Sequence, residues 1–99
     1  MLNVNKTVEN GKAVLTAAGR LDTVTAPELE SAVKEILPGL TDLTIDLKEL
    51  EYISSAGLRV LLSAQKAMNA QGTMRVVNVN DTVMEIFDVT GFADILTIE

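Results

Sequence analysis

The chain has 99 residues and a mass of 10.6 kDa, enough for one core and no more. It contains no histidine, cysteine or tryptophan, which excludes His-based triads, thiol nucleophiles, Cys/His zinc sites and disulfides. Eight basic against fourteen acidic residues give a net charge of −6, and the cations are scattered singly, so nucleic acid and anionic membrane are poor partners.

Met1-Leu2-Asn3-Val4-Asn5-Lys6 alternates apolar and polar residues and does not read as a secretory leader. No apolar run approaches the ~20 residues that span a bilayer. The expectation is a soluble, cytoplasmic, single domain over residues 1–99.

Asn10-Gly11 between apolar alternations predicts a hairpin, because both central residues of a type I′ turn need positive φ. Its strands are expected over 2–9 and 12–18. Thr25 with Glu28 three residues on reads as a capping box, with Pro27 in the first turn and Leu29, Val33, Ile36 and Leu37 at helical spacing. Pro38-Gly39 stops that helix. Leu43, Ile45 and Leu47 alternate as a strand, and Lys48 to Tyr52 reads as a connector. A second helix carries Leu58, Leu61, Leu62, Gln65 and Met68 and ends near Gly72, expected as a left-handed cap. Met74 to Val79 is a strand, Asn80-Asp81-Thr82 opens a short helix closed at Gly91, and Asp94 to Ile98 reads as a terminal strand. The expected class is α/β, a mixed, mostly parallel five-stranded sheet in the order ββαβαβαβ.

Functional residues of open α/β sheets collect beyond the carboxyl ends of the strands. Two segments fall there: Asp22-Thr23-Val24-Thr25, and Ile53-Ser54-Ser55-Ala56-Gly57 before the second helix. Ser54 or Ser55 at that helix start serves either as an N-cap or as the seat of an added phosphate, which the unpaired first-turn N–H groups would tolerate. Gly57 permits close approach by a partner or by the preceding loop. Asp22 stabilises a turn or takes part in recognition, and Asp46 faces solvent or the same rim. The two make an unconvincing magnesium pair, so neither metal nor cofactor is expected. Arg59 reads as a partner-contact or solvent residue, and Tyr52 as a ring packed under the loop.

Gly19-Arg20-Leu21-Asp22-Thr23-Val24-Thr25-Ala26, Leu43-Thr44-Ile45-Asp46-Leu47 and Tyr52-Ile53-Ser54-Ser55-Ala56-Gly57-Leu58 together resemble the STAS domain of bacterial anti-sigma factor antagonists. The likeness continues through Met74-Arg75-Val76-Val77-Asn78 and Ile86-Phe87-Asp88-Val89-Thr90-Gly91-Phe92 and spans nearly the whole chain. It implies a non-enzymatic regulator whose unphosphorylated form binds an anti-sigma factor, itself a serine kinase, and so releases a sigma factor. Phosphorylation of one serine at the start of the second helix breaks the complex, and a serine phosphatase restores it.

Laid on Ser54-Ser55-Ala56-Gly57-Leu58, the family pattern Asp-Ser-Ser/Thr-Gly-Leu puts the acceptor on Ser55 and the loop aspartate on Asp22. Ser54 stands where relatives often carry aspartate, which makes it the second choice, and Ala56 replaces a hydroxyl residue. The docking surface implied is Asp22, Thr23, Ser54, Ser55, Gly57, Leu58 and Arg59, on a monomer or weak homodimer. The runner-up is an unphosphorylated STAS subunit of a lipid-transport ATPase or signalling complex. A nucleotide-hydrolysing domain ranks last, since the chain lacks a Gly-x-x-x-x-Gly-Lys-Ser/Thr loop and a histidine base.

Overall fold

A computed structural model describes residues 2–99, so Met1, the first residue of the alternating opening, lies outside the described residues. Strands β1 (Leu2–Glu9) and β2 (Lys12–Leu21) form the antiparallel hairpin, and Asn10 and Gly11 both take positive φ, 52° and 77°, as their turn demands. Helix α1 (Ala26–Ile36) follows, then β3 (Asp42–Asp46), β4 (Leu50–Ile53), α2 (Ser55–Gln71), β5 (Thr73–Val77) and α3 (Asp81–Thr90). A short 3₁₀ turn, Phe92–Asp94, comes last.

The class is the expected one, a five-stranded mixed sheet with three helices, and the strand order is β1-β2-β3-β5 with β4 also on β2. The fifth strand lies elsewhere in the chain than the sequence implied. Residues 48–52, expected as a connector, contain most of β4. Its pairing with β2 skips Glu51, so Gly19 faces Leu50 and Arg20 faces Tyr52. That bulge interrupts the two-residue alternation by which a strand is recognised. Conversely, residues 94–98 do not form the expected strand. The chain winds through Asp94 N–H to Gly91 and Leu96 N–H to Phe92, which leaves Ile98 alone to bridge Val76. The observed order is therefore ββαββαβα.

One face of the sheet carries Ala13, Leu15, Ala17, Leu43, Ile45, Met74 and Val76, all buried. Against it α1 brings Leu29, Val33 and Ile36, and α2 brings Leu58, Leu61, Ala64 and Met68, each helix keeping its 3.6-residue apolar stripe inward. Each fully buried Leu or Ile here contributes about 1.5–3 kcal/mol through lost water contact. Helix α3 packs its Val83 and Phe87 beside β4.

Helix ends divide into those set locally and those set by neighbours. Asn80 caps α3 by accepting from Val83 N–H at 2.9 Å, and Gly91 ends it with φ 83°, both as expected. Gly72 is no left-handed cap, since its φ of 175° is extended backbone. Thr25 forms no capping box: it is itself helical, and its hydroxyl turns back into the loop instead of onto the helix N–H groups.

Candidate functional site

The two rim segments meet because β2 serves two parallel partners along one edge. Residues 12–16 of β2 pair with β3, and residues 19–21 pair with β4. The ends of β2 and β4 are tied by Ser54 N–H donating to the Leu21 carbonyl at 2.8 Å. The loop that begins at Asp22 and the helix that begins at Ser55 therefore leave the sheet side by side.

The Asp22 loop is braced by its own aspartate. Asp22 Oδ1 accepts from Val24 N–H and Thr25 N–H, each at 3.0 Å. The Thr25 hydroxyl accepts from Asp22 N–H at 2.9 Å and donates to the Arg20 carbonyl at 2.8 Å. The Thr25 N–H bond, the Thr25 hydroxyl, the Val24 N–H bond and the Arg20 charge hold the Asp22 carboxyl below its usual 3.8. A depressed folded-state pKa gives stability that is present above 3.8 and fades as pH falls through the lowered value. Asp22→Asn is thus expected to lower the thermal midpoint at neutral pH, with the gap to the parent narrowing steadily below pH 3.8 in a calorimetric pH series.

This rigid loop presents Thr23 and Val24 to solvent, Val24 with 83 % of its surface exposed. Val24 belongs to the expected rim segment but not to the docking residues implied by the resemblance; an apolar residue among loop threonines was the available signal.

The serines differ sharply. Ser54 occupies the N-cap position of α2, yet its side chain makes no capping bond, and its Oγ is buried without a partner. Ser55, the first residue of the helix, is exposed. Gly57 and Leu58, expected on a docking surface, face inward. A Cβ on Gly57 would sit 2.6 Å from Leu21 Cγ and 2.9 Å from Ile53 Cγ1, so glycine lets α2 start directly against the ends of β2 and β4. Leu58 is a core residue. Both are buried where α2 leaves the sheet, within one turn of Ser55.

Arg59, one turn after Ser55, is exposed and forms no ion pair among the described residues. It lines a groove of about 370 Å³ between α1 and α2, together with Thr23, Pro27, Glu30, Ala56 and Ser63. Asp46 does not join this rim. Its Oδ1 accepts from Lys48 N–H at 3.0 Å and Asn78 Nδ2 at 3.2 Å, fastening the loops after β3 and β5. Tyr52 packs under the Arg20 guanidinium, whose carbon lies 4.5 Å from the ring centroid. Among the described residues no group of three acidic side chains could hold a metal ion, and no helix is long and apolar enough to cross a membrane.

A bulged α/β sheet with an exposed serine heading its second helix defines a class, and residues 3–99 match the STAS domain family. The chain belongs to that family, among the anti-sigma factor antagonists. It is 30% identical over 100 residues to the anti-sigma-B factor antagonist of Bacillus subtilis (strain 168), covering 98% of this chain and 92% of that one. The crystal structure of an anti-sigma factor antagonist from Mycobacterium paratuberculosis superposes with a TM-score of 0.89 at 24% identity, covering 99% of this chain and 85% of that one. The Bacillus cell fate determinant SpoIIAA in its phosphorylated form superposes with a TM-score of 0.74 at 16% identity, covering 100% and 91%.

Proposed function

We propose that this chain is a phosphorylation-switched antagonist: unphosphorylated, it docks on an anti-sigma factor that is also a serine kinase, and so frees a sigma factor in the cytoplasm. The observation that carries this reading is the exposed Ser55 hydroxyl at the head of α2, beside a braced loop that displays Thr23 and Val24. The names of the Bacillus subtilis relative and of phosphorylated SpoIIAA support it. In the modification, Ser55 Oγ attacks the γ-phosphorus of ATP held by the kinase, the bond to the β-phosphate oxygen breaks, ADP leaves, and the hydroxyl proton passes to a base on the kinase. A serine phosphatase reverses the change by hydrolysis.

Ser55 is preferred to Ser54 on access. A kinase must bring phosphorus to the attacking oxygen, and the Ser54 Oγ is sealed from solvent. Incubation with the cognate kinase and ATP is expected to add one phosphate, localised to Ser55 by fragmentation mass spectrometry. Ser55→Ala abolishes it and Ser54→Ala keeps it. Phosphate on Ser54 overturns the assignment. No phosphate under any condition favours the structural-subunit reading, in which Ser55 is only the first residue of a helix.

A further inference from the structure

We infer that Arg59 is the positioning residue of the phosphorylated state: its guanidinium folds back one turn onto the phosphoryl group of Ser55 and is thereby withdrawn from the docking face. The inference rests on the proposed modification of Ser55 and says what the domain does with it.

Ser55 and Arg59 stand four residues apart on α2, and side chains at that spacing share one face with Cβ atoms about 5–6 Å apart. Helical side chains lean toward the N-terminus, so a residue covers the turn before its own Cα. For Arg59 that turn holds Ser55 and Ala56, and Arg59 already shares its groove with Ala56 and Thr23. An anion at the earlier position with a cation four residues later is also the favourable orientation for such pairs.

The guanidinium is uncommitted. Of the other seven cations, Lys6 is paired with Glu35, Lys34 with Glu30 and Arg75 with Asp42, and Arg20 lies over Tyr52. Lys12, Lys48 and Lys66 are unpaired too among the described residues, but none of them stands one turn from Ser55 on its helix. Glu30, the acidic residue lining the same groove, has Lys34 at 3.8 Å. A phosphoserine dianion offers three acceptor oxygens that match the planar donors of arginine. Unphosphorylated, Arg59 remains on the surface beside Thr23 and Ala56, available to a carboxylate of the partner. One modification therefore changes the face twice, adding a dianion and removing a cation.

The test installs phosphoserine at position 55 during synthesis, through a reassigned stop codon, so that it needs no kinase. The phosphate of the parent, Arg59→Lys and Arg59→Gln is then titrated by ³¹P NMR, with the Arg59 Nε–H followed in the parent. The ordinary second ionisation lies near pH 6. Its midpoint in the parent is expected about 0.5 unit below that of Arg59→Gln, with the lysine variant between them, as a bidentate charge-assisted contact requires. The Nε–H signal should move with the same midpoint, and thermal midpoints should agree, since Arg59 is exposed.

Equal midpoints in the parent and Arg59→Gln overturn the inference. So does a lysine variant that titrates with the parent, because a diffuse positive field would then suffice. Failure of the kinase to modify Ser55 defeats the proposed function and leaves this titration standing; a flat titration defeats only the clamp.

Discussion

Gly72→Ala is expected to cost about 3 kcal/mol or more of folding stability, a large part of what a domain of this size has. A Cβ built on Gly72 falls 2.0 Å from the Thr41 carbonyl oxygen and 2.6 Å from its carbon. The obstacle is backbone, so no side-chain rotation relieves it, and that carbonyl has a task. It accepts from Thr73 N–H at 3.0 Å, the bond that sets β5 in register beside β3. Further bonds hold the joint from both sides: Gly72 N–H donates to Met68 O, and Thr41 N–H donates to Gly11 O at 2.8 Å. Moving Thr41 therefore disturbs the hairpin turn and the β3–β5 edge together. At about 4–8 °C per kcal/mol, the thermal midpoint should fall by more than about 12 °C. A calorimetric scan checks it, and a fall of less than about 4 °C would show that the joint yields. A Cβ at Gly57 meets side chains and not backbone, but Leu21 Cγ at 2.6 Å and Ile53 Cγ1 at 2.9 Å belong to fully buried residues, so overpacking there costs stability as well.

The reason for Gly72 shows why some elements were legible in the sequence and others were not. Asn10-Gly11, the Asn80 cap and Gly91 are decided within four residues, by positive φ or by a side chain reaching its own helix, and each was readable. Gly72 answers to Thr41, thirty-one positions earlier in the chain, so it was read as a local cap. The same holds for Thr25 and Ser54. Their residue types match a cap, but the Thr25 hydroxyl is claimed by the Arg20 carbonyl, and Ser54 commits its N–H to Leu21 while its hydroxyl stays buried. The fifth strand was missed because Glu51 is skipped in the ladder, which hides a pair of inward residues, Leu50 and Ile53, three apart instead of two or four.

At the site, the rim location followed from topology, and Ser55 and Asp22 were legible as residues. Which neighbours face out was only partly legible. Leu58 already belonged to the apolar stripe of α2, and its 5 % exposure follows that periodicity and not its place in the motif. Gly57 lies under the sheet ends for a reason that only the packing of Leu21 and Ile53 reveals.

Phosphorylating Ser55 is expected to weaken docking on the anti-sigma factor by two to three orders of magnitude (about 3–4 kcal/mol) while moving the thermal midpoint by no more than about 2 °C. The two effects separate because the phosphate meets different surroundings in each state. In the free domain Ser55 is open to water and is not part of the core that holds α2 in place. The first turn of α2 lacks a side-chain cap, so its free N–H groups offset the new charge by about 0.3–1 kcal/mol. The Asp22 carboxylate, ionised at neutral pH, opposes this only weakly, because solvent screens it. In the complex the same phosphate must lose water against a surface fitted to a hydroxyl, and burying a dianion that one guanidinium only partly neutralises costs several kcal/mol. Titration calorimetry of both forms against the anti-sigma factor reads the ratio directly. If the phosphorylated form binds within about threefold of the unmodified one, well under the tenfold that 1.4 kcal/mol represents, the rim does not carry the switch.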